Sequence, residues 1–115
     1  MSTNNQDLYP PATPTMSKKR ADLAPDQVKA FRNFSKEVFK EGALDEKTKQ
    51  LIAVASAHIT QCPYCIKGHT KQAKKKGATN EEIMEAIWVA SEMRAGAAYA
   101  HAALAIDEMD KTEDL

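Results

Sequence analysis

The 115-residue chain reads as an all-α protein. From Val28 onward apolar residues recur at helical spacing. Residues suited to helix starts (Pro25, Asp45, Thr79) and helix stops (Gly42, Gly77) alternate along it. Its long apolar stretches are alanine-rich and run without a turn, so no segment makes a convincing strand. About five to six helices in one domain over residues 21–115 follow, behind a flexible arm over residues 1–20.

The arm holds Pro10, Pro11 and Pro14 among Ser, Thr and Asn, with no visible periodicity. The first helix is expected near Pro25, since proline suits a first helical position whose N–H would go unbonded anyway. Val28, Phe31, Phe34, Val38 and Phe39 form its apolar stripe, read as a core face, and Gly42 reads as its stop. Asp45 is the candidate N-cap of a second helix reaching about Thr60, apolar on most sides through Leu51, Ile52, Val54 and Ile59. A break at Thr60-Gln61 precedes a third helix, with Cys62 as N-cap and Pro63 in first position, ending at Gly77. The short link makes the second and third helices an antiparallel hairpin. Thr79-x-x-Glu82 is a capping-box pattern that opens a helix to about Met93. Gly96 is expected to interrupt before the alanine-rich run to Ile106, and residues from Asp107 onward to fray.

The charges balance, 16 basic against 16 acidic residues, and no basic face carries interleaved aromatics, so a nucleic-acid partner is not expected. No apolar run approaches the roughly 18 residues of a membrane span. A secretory signal pattern is not visible, and the cytoplasm is the expected compartment. The two cysteines lie three apart, a loop too short to staple a domain this size. That closeness favours redox, catalytic or metal chemistry in a reducing compartment.

Chemistry concentrates in Cys62-Pro63-Tyr64-Cys65-Ile66-Lys67-Gly68-His69. A three-residue spacing at a helix start brings two thiols within disulfide reach. Unbonded N–H groups and the positive end of the helix dipole stabilise a thiolate there. His69 falls one turn after Cys65 on the same face, where an imidazole can accept the thiol proton or hold the thiolate. Tyr64 can supply a hydroxyl near the pair. The lysines at 67, 71, 74, 75 and 76 suit the helix's C-terminal end and read first as a solvated face, second as an anionic patch.

Residues 44–106 resemble the carboxymuconolactone decarboxylase family, in its alkyl hydroperoxidase D-like branch. The likeness rests on Leu51-Ile52-Ala53-Val54-Ala55, the eight residues above, Gly77-Ala78-Thr79-Asn80-Glu81-Glu82-Ile83, and Arg94-Ala95-Gly96. The resemblance implies an all-α helical fold with the CxxC at the start of a central helix. It also implies a homo-oligomer, a hexamer built as a trimer of dimers or a trimer. The implied activity is thiol-dependent peroxidase chemistry, an antioxidant oxidoreductase without a bound cofactor. In it Cys65 attacks the hydroperoxide, Cys62 resolves the sulfenic acid to a disulfide, and a lipoylated or thioredoxin-like dithiol protein reduces it. His69 matches the family's relay histidine.

One position departs from the family pattern: Gln50 stands where the relay has a glutamate, and an amide cannot serve as a carboxylate base. His58, four residues before Cys62, is open to two readings, a substitute near the thiols or a structural histidine bonded to a backbone carbonyl. Glu46, one turn before Gln50, is another carboxylate to consider, and His101 reads as structural or interfacial. Phe31, Phe34, Ile59, Trp88 and Tyr99 read as core or as pocket walls. Two other functions compete: zinc held by Cys62, Cys65, His69 and His58, and a helical oligomer whose thiols only sense oxidation.

Overall fold

A computed structural model describes residues 8–113, among which five helices and no strand occur. The chain divides into two compact units, Met1–Glu41 and Gly42–Leu115.

The first unit holds α1 (Pro14–Leu23) and α2 (Pro25–Phe39). The sequence reading placed a flexible arm over residues 1–20; residues 1–7 lie outside the described residues, and residues 14–20 are helical. Thr13 caps α1, its hydroxyl accepting from the Met16 N–H at 3.1 Å, and Pro14 takes the first position. Ala24 serves both helices, donating to Arg20 O and accepting from Val28 N–H. The expected stop at Gly42 is corrected: α2 ends at Phe39, and only Gln61 and Gly77 have positive φ among the described residues. The expected core face is not formed by the whole stripe: Val28 and Phe39 are half-buried, but Phe31 and Phe34 are 65% and 63% exposed. Their rings meet each other, centroids 6.2 Å apart.

The second unit consists of α3 (Glu46–Thr60), α4 (Pro63–Lys75) and α5 (Asn80–Thr112). Asp45 caps α3, its carboxylate accepting from the Thr48 N–H at 2.7 Å. Glu46 at the start of α3 pairs with Lys76 just past the end of α4, so these helices run antiparallel. The α5 helix instead runs parallel to α3: Lys47 pairs with Glu82 at 2.9 Å, and twelve residues further along each helix Arg94 Nη1 donates to Ile59 O at 2.8 Å. Val54, Ala73, Ala78 and Ile83 form the buried centre where the three meet, with Leu51 and Ile87 against it.

The two expected C-terminal helices are one. α5 passes through Gly96 unbroken and extends to Thr112 rather than fraying from Asp107. An interior glycine costs about 1 kcal/mol of helix propensity. That is too little to break a helix of 33 residues without proline. α3 ends at Thr60, level with Ala95, so α5 outruns it by the 17 residues to Thr112, about 26 Å at 1.5 Å per residue.

Candidate functional site

The corner between α3 and α4 is built around Cys62. Gln61 adopts the left-handed conformation (φ 57°, ψ 46°), which turns the chain back on itself. The Cys62 N–H then reaches Ala57 O at 3.1 Å, closing the end of α3. On its other side Cys62 opens α4: its carbonyl accepts from Ile66 N–H at 2.9 Å, and its Sγ accepts from Cys65 N–H at 3.2 Å. Pro63 occupies the first helical position. One cysteine thus ends one helix and caps the next, so its sulfur is held at the positive end of α4.

Cys62 and Cys65 form a disulfide, their Cα atoms 5.2 Å apart. Both residues are half-buried. On reduction, the Cys65 N–H and the dipole of α4 favour negative charge on the Cys62 sulfur, the same stabilisation that makes it a good leaving group in disulfide exchange.

His69 lies one turn beyond Cys65 on α4. Its Nδ1–H donates to Gln50 Oε1 across the α3–α4 interface at 2.8 Å. Gln50 is 6% exposed and is the one buried polar residue among the described residues. This bond orients the imidazole, with Nδ1 carrying a hydrogen and Nε2 left facing away from Gln50. The amide fixes the ring and supplies no carboxylate. Sequence reasoning paired these positions only through family resemblance; nineteen residues apart, they meet because α3 and α4 are antiparallel.

The other candidates fall elsewhere. His58 Nδ1–H donates to Val54 O of its own helix at 2.8 Å, the backbone-bonded arrangement. Glu46 is engaged by Lys76 at the opposite end of the hairpin from the thiols. Tyr64 stands on the outer side of α4, 44% exposed, and His101 is exposed on the overhanging part of α5. Trp88 and Tyr99 are 66% and 85% exposed, so neither is core within this chain. Among the described residues no group of three or more His, Cys, Asp or Glu side chains is arranged to hold a metal ion. Sequence reasoning missed Arg94 as a part of the corner; it bonds the last turn of α3, three residues before Cys62.

A sequence model of the carboxymuconolactone decarboxylase family matches residues 25–108. Uncharacterized protein 4 in the cox locus of Paracoccus denitrificans is 67% identical over 84 residues, 73% of this chain and 76% of its own length. An uncharacterized protein of Cupriavidus necator is 39% identical over 83 residues, 70% of this chain and 74% of its own. Among solved structures, an apo carboxymuconolactone decarboxylase family protein of Legionella pneumophila superposes with a TM-score of 0.67 at 36% identity, covering 84% of this chain and 87% of that one. A Thermotoga maritima member, for which involvement in an antioxidative response has been suggested, gives 0.53 at 29% identity over 74% of this chain and 94% of its own.

Proposed function

The chain belongs to the carboxymuconolactone decarboxylase family, and from that premise we propose that it is a thiol-dependent oxidoreductase of the alkyl hydroperoxidase D-like kind, reducing hydroperoxides through Cys62 and Cys65. The observation that carries this reading is the Cys62–Cys65 disulfide at the first turn of α4, one turn from a histidine oriented by a buried amide.

In the reduced protein the Cys65 thiolate attacks the terminal oxygen of the hydroperoxide. The O–O bond breaks, the alcohol leaves with a proton, and Cys65 becomes a sulfenic acid. The Cys62 sulfur then attacks the Cys65 sulfur and expels the hydroxyl, which departs as water after protonation. The product is the disulfide, and a dithiol protein returns two electrons and two protons. His69 moves the proton from the attacking thiol, with Gln50 holding its ring. The suggested antioxidative role of the Thermotoga maritima relative agrees with this chemistry.

A homo-oligomer, hexameric or trimeric, fits the apolar surface of the single chain. On the overhang of α5 Tyr99, Leu104 and Met109 are 85%, 70% and 60% exposed, more than a monomer ordinarily leaves in one run. No helix among the described residues is long and apolar enough to cross a membrane. A reducing compartment such as the cytoplasm suits a dithiol that must be recycled.

Stopped-flow oxidation of the anaerobically reduced protein by hydrogen peroxide and by one organic hydroperoxide tests the reading. Cys65→Ser is expected to abolish peroxide consumption, and Cys62→Ser to leave a sulfenic acid that dimedone traps at Cys65. Wild-type consumption by both single variants would sink the assignment.

A further inference from the structure

The helix that carries the disulfide also carries an unbalanced charge. α4, Pro63–Lys75, contains no acidic residue, although basic and acidic residues cancel over the whole chain. Lys67, Lys71 and Lys75 succeed one another at four-residue steps, all exposed, and none makes an ion pair among the described residues. Elsewhere in the same unit Lys47, Lys76 and Lys111 each hold a carboxylate. On α4 Lys74 bonds the neutral Asn80 side-chain oxygen.

The position of these lysines is not explained by the helix itself. Those in the last turn, Lys74 and Lys75, complement the helix dipole. Lys67 does not, because it sits in the second turn, toward the positive end. Its spacing from Lys71, and that of Lys71 from Lys75, places like charges at i,i+4, which disfavours a helix by a few tenths of a kcal/mol per pair. At 100° per residue the three share a side of the helix with the exposed Tyr64, roughly opposite the fully buried Ala73. The stripe is about 12 Å long and has no buried polar group to grip a small anion. It is an open surface that begins in the turn after the disulfide and lies about 120° around the helix from Cys65. An occupant that reaches both must span two sides of the helix end, which fits another protein.

We propose that the Lys67–Lys71–Lys75 face of α4 docks the acidic dithiol protein that reduces the Cys62–Cys65 disulfide. The proposal rests on the redox reading above and adds the surface and the charge of the partner. Docking places the partner's thiolate against the disulfide. Its attack on one cysteine sulfur forms a mixed disulfide and releases the other cysteine as a thiolate. The partner's second thiol, as thiolate, attacks its own sulfur in the mixed disulfide and frees the remaining cysteine. The partner is thereby oxidised to its disulfide, and this chain gains two electrons and, with protonation, two thiols.

Single-turnover reduction of the pre-oxidised full chain tests the docking apart from peroxide chemistry. The reductants are an acidic thioredoxin, an acidic lipoyl domain carrying dihydrolipoamide, and free dihydrolipoamide as the uncharged control. At least one acidic protein is expected to outpace the free dithiol. Its rate should fall about tenfold or more between low and half-molar salt, as a steered encounter does. Lys67→Glu/Lys71→Glu/Lys75→Glu should lose at least tenfold with that protein and keep its rate with free dihydrolipoamide. The corresponding glutamine variant should fall between, and circular dichroism checks that all remain helical. Equal rates for wild type and the glutamate variant with the acidic proteins would overturn the proposal. So would no acceleration by either protein over the free dithiol, or a charge reversal that changes the sedimenting mass while leaving reduction untouched. Peroxide that fails to oxidise the thiols, with lysine-dependent reduction intact, would remove the peroxidase reading and leave the docking surface standing.

Discussion

The two ends of α4 are made by the same backbone turn and put to different uses. At one, Gln61 is left-handed and the Cys62 N–H closes on Ala57 O at 3.1 Å; at the other, Gly77 is left-handed and the Ala78 N–H closes on Ala73 O at 2.9 Å. The second corner is built for stability. Ala73 and Ala78 are both buried in the central cluster, Lys76 pairs with Glu46, and the chain leads directly into the Thr79–Glu82 capping box. The first places a half-buried disulfide after a left-handed glutamine, a conformation that costs a residue with a Cβ roughly 1–2 kcal/mol. Strain and reactivity share one corner, packing and charge pairing the other, as expected where a site is held by a scaffold that stabilises itself elsewhere. Substitutions at one end should therefore alter chemistry and those at the other stability.

The largest expected separation comes from His69. His69→Ala removes the proton carrier and the hydrogen bond to Gln50, and should slow peroxide-driven thiol oxidation by about 10²-fold, the lower range for an acid–base group. Gln50→Glu should speed the same step by restoring a carboxylate beside the imidazole. Stopped-flow oxidation measures both, and an unchanged rate in His69→Ala would place the base elsewhere. Val54→Ala does the converse. Val54 is fully buried against Ala73 and Ala78, and the loss of two methyl groups with little room to collapse should cost about 2–3 kcal/mol. Urea unfolding of the oxidised protein would show it, with the thiol oxidation rate of the folded fraction unchanged.

Exchanging the turn residues tests the comparison directly. Gly77 has φ +93° and nothing within 4 Å of where a Cβ would stand, so Gly77→Gln meets only backbone strain and should destabilise by about 1–2 kcal/mol. Gln61→Gly removes the strain at the thiol corner; with a more flexible unfolded chain partly offsetting the gain, a rise of up to about 1 kcal/mol is expected. Equal and negligible effects at both sites would show that neither corner stores strain.

Much of this arrangement was legible in the residues because it rests on local hydrogen bonding. The Asp45 cap, the Thr79-x-x-Glu82 box, the stop at Gly77 and the Cys62-Pro63 start each need only a few consecutive residues, and each is present. What depended on tertiary packing was not legible. α1 has only Met16 and Leu23 as large apolar residues, too few for the period by which a helix is read, and only Thr13-Pro14 marks its start. The parallel register of α3 and α5, which puts Arg94 on Ile59 O, has no local signal. A left-handed glutamine is not announced by its side chain, since that conformation is usually read from Gly or Asn. The stripe of Val28, Phe31 and Phe34 is correctly helical in period, yet Val28 is only half-buried and both rings are exposed, because amphipathicity reports an apolar face without saying which surface buries it.

The smallest effect is electrostatic and belongs to the Gly77 corner and the helix starts beside it. Hydrogen bonds from Thr48 hold the Asp45 carboxyl below the usual carboxylate range. Glu82 is lowered too, first by the Thr79 N–H and then by Lys47, while the hydrogen bond to Glu82 raises Lys47. A carboxylate whose folded pKa is depressed adds stability above its unfolded value and loses it as pH falls through the folded one. These two contributions should therefore fade below about pH 4. A raised lysine adds stability that is complete below its unfolded value and disappears as pH rises through the folded one, above about pH 10. The urea midpoint of the oxidised protein should thus be flat at neutral pH and slope down at both extremes. Asp45→Asn keeps the cap, since asparagine caps as well as aspartate, and removes only the titration. It should leave the neutral midpoint nearly unchanged and make the acid slope shallower. Glu82→Gln should shift both the acid and the alkaline limbs, because it also takes the partner from Lys47, and added salt should reproduce part of that change. Neither variant should alter the rate at which peroxide closes the Cys62–Cys65 disulfide; a matching change in that rate would mean that the two ends of α4 are coupled.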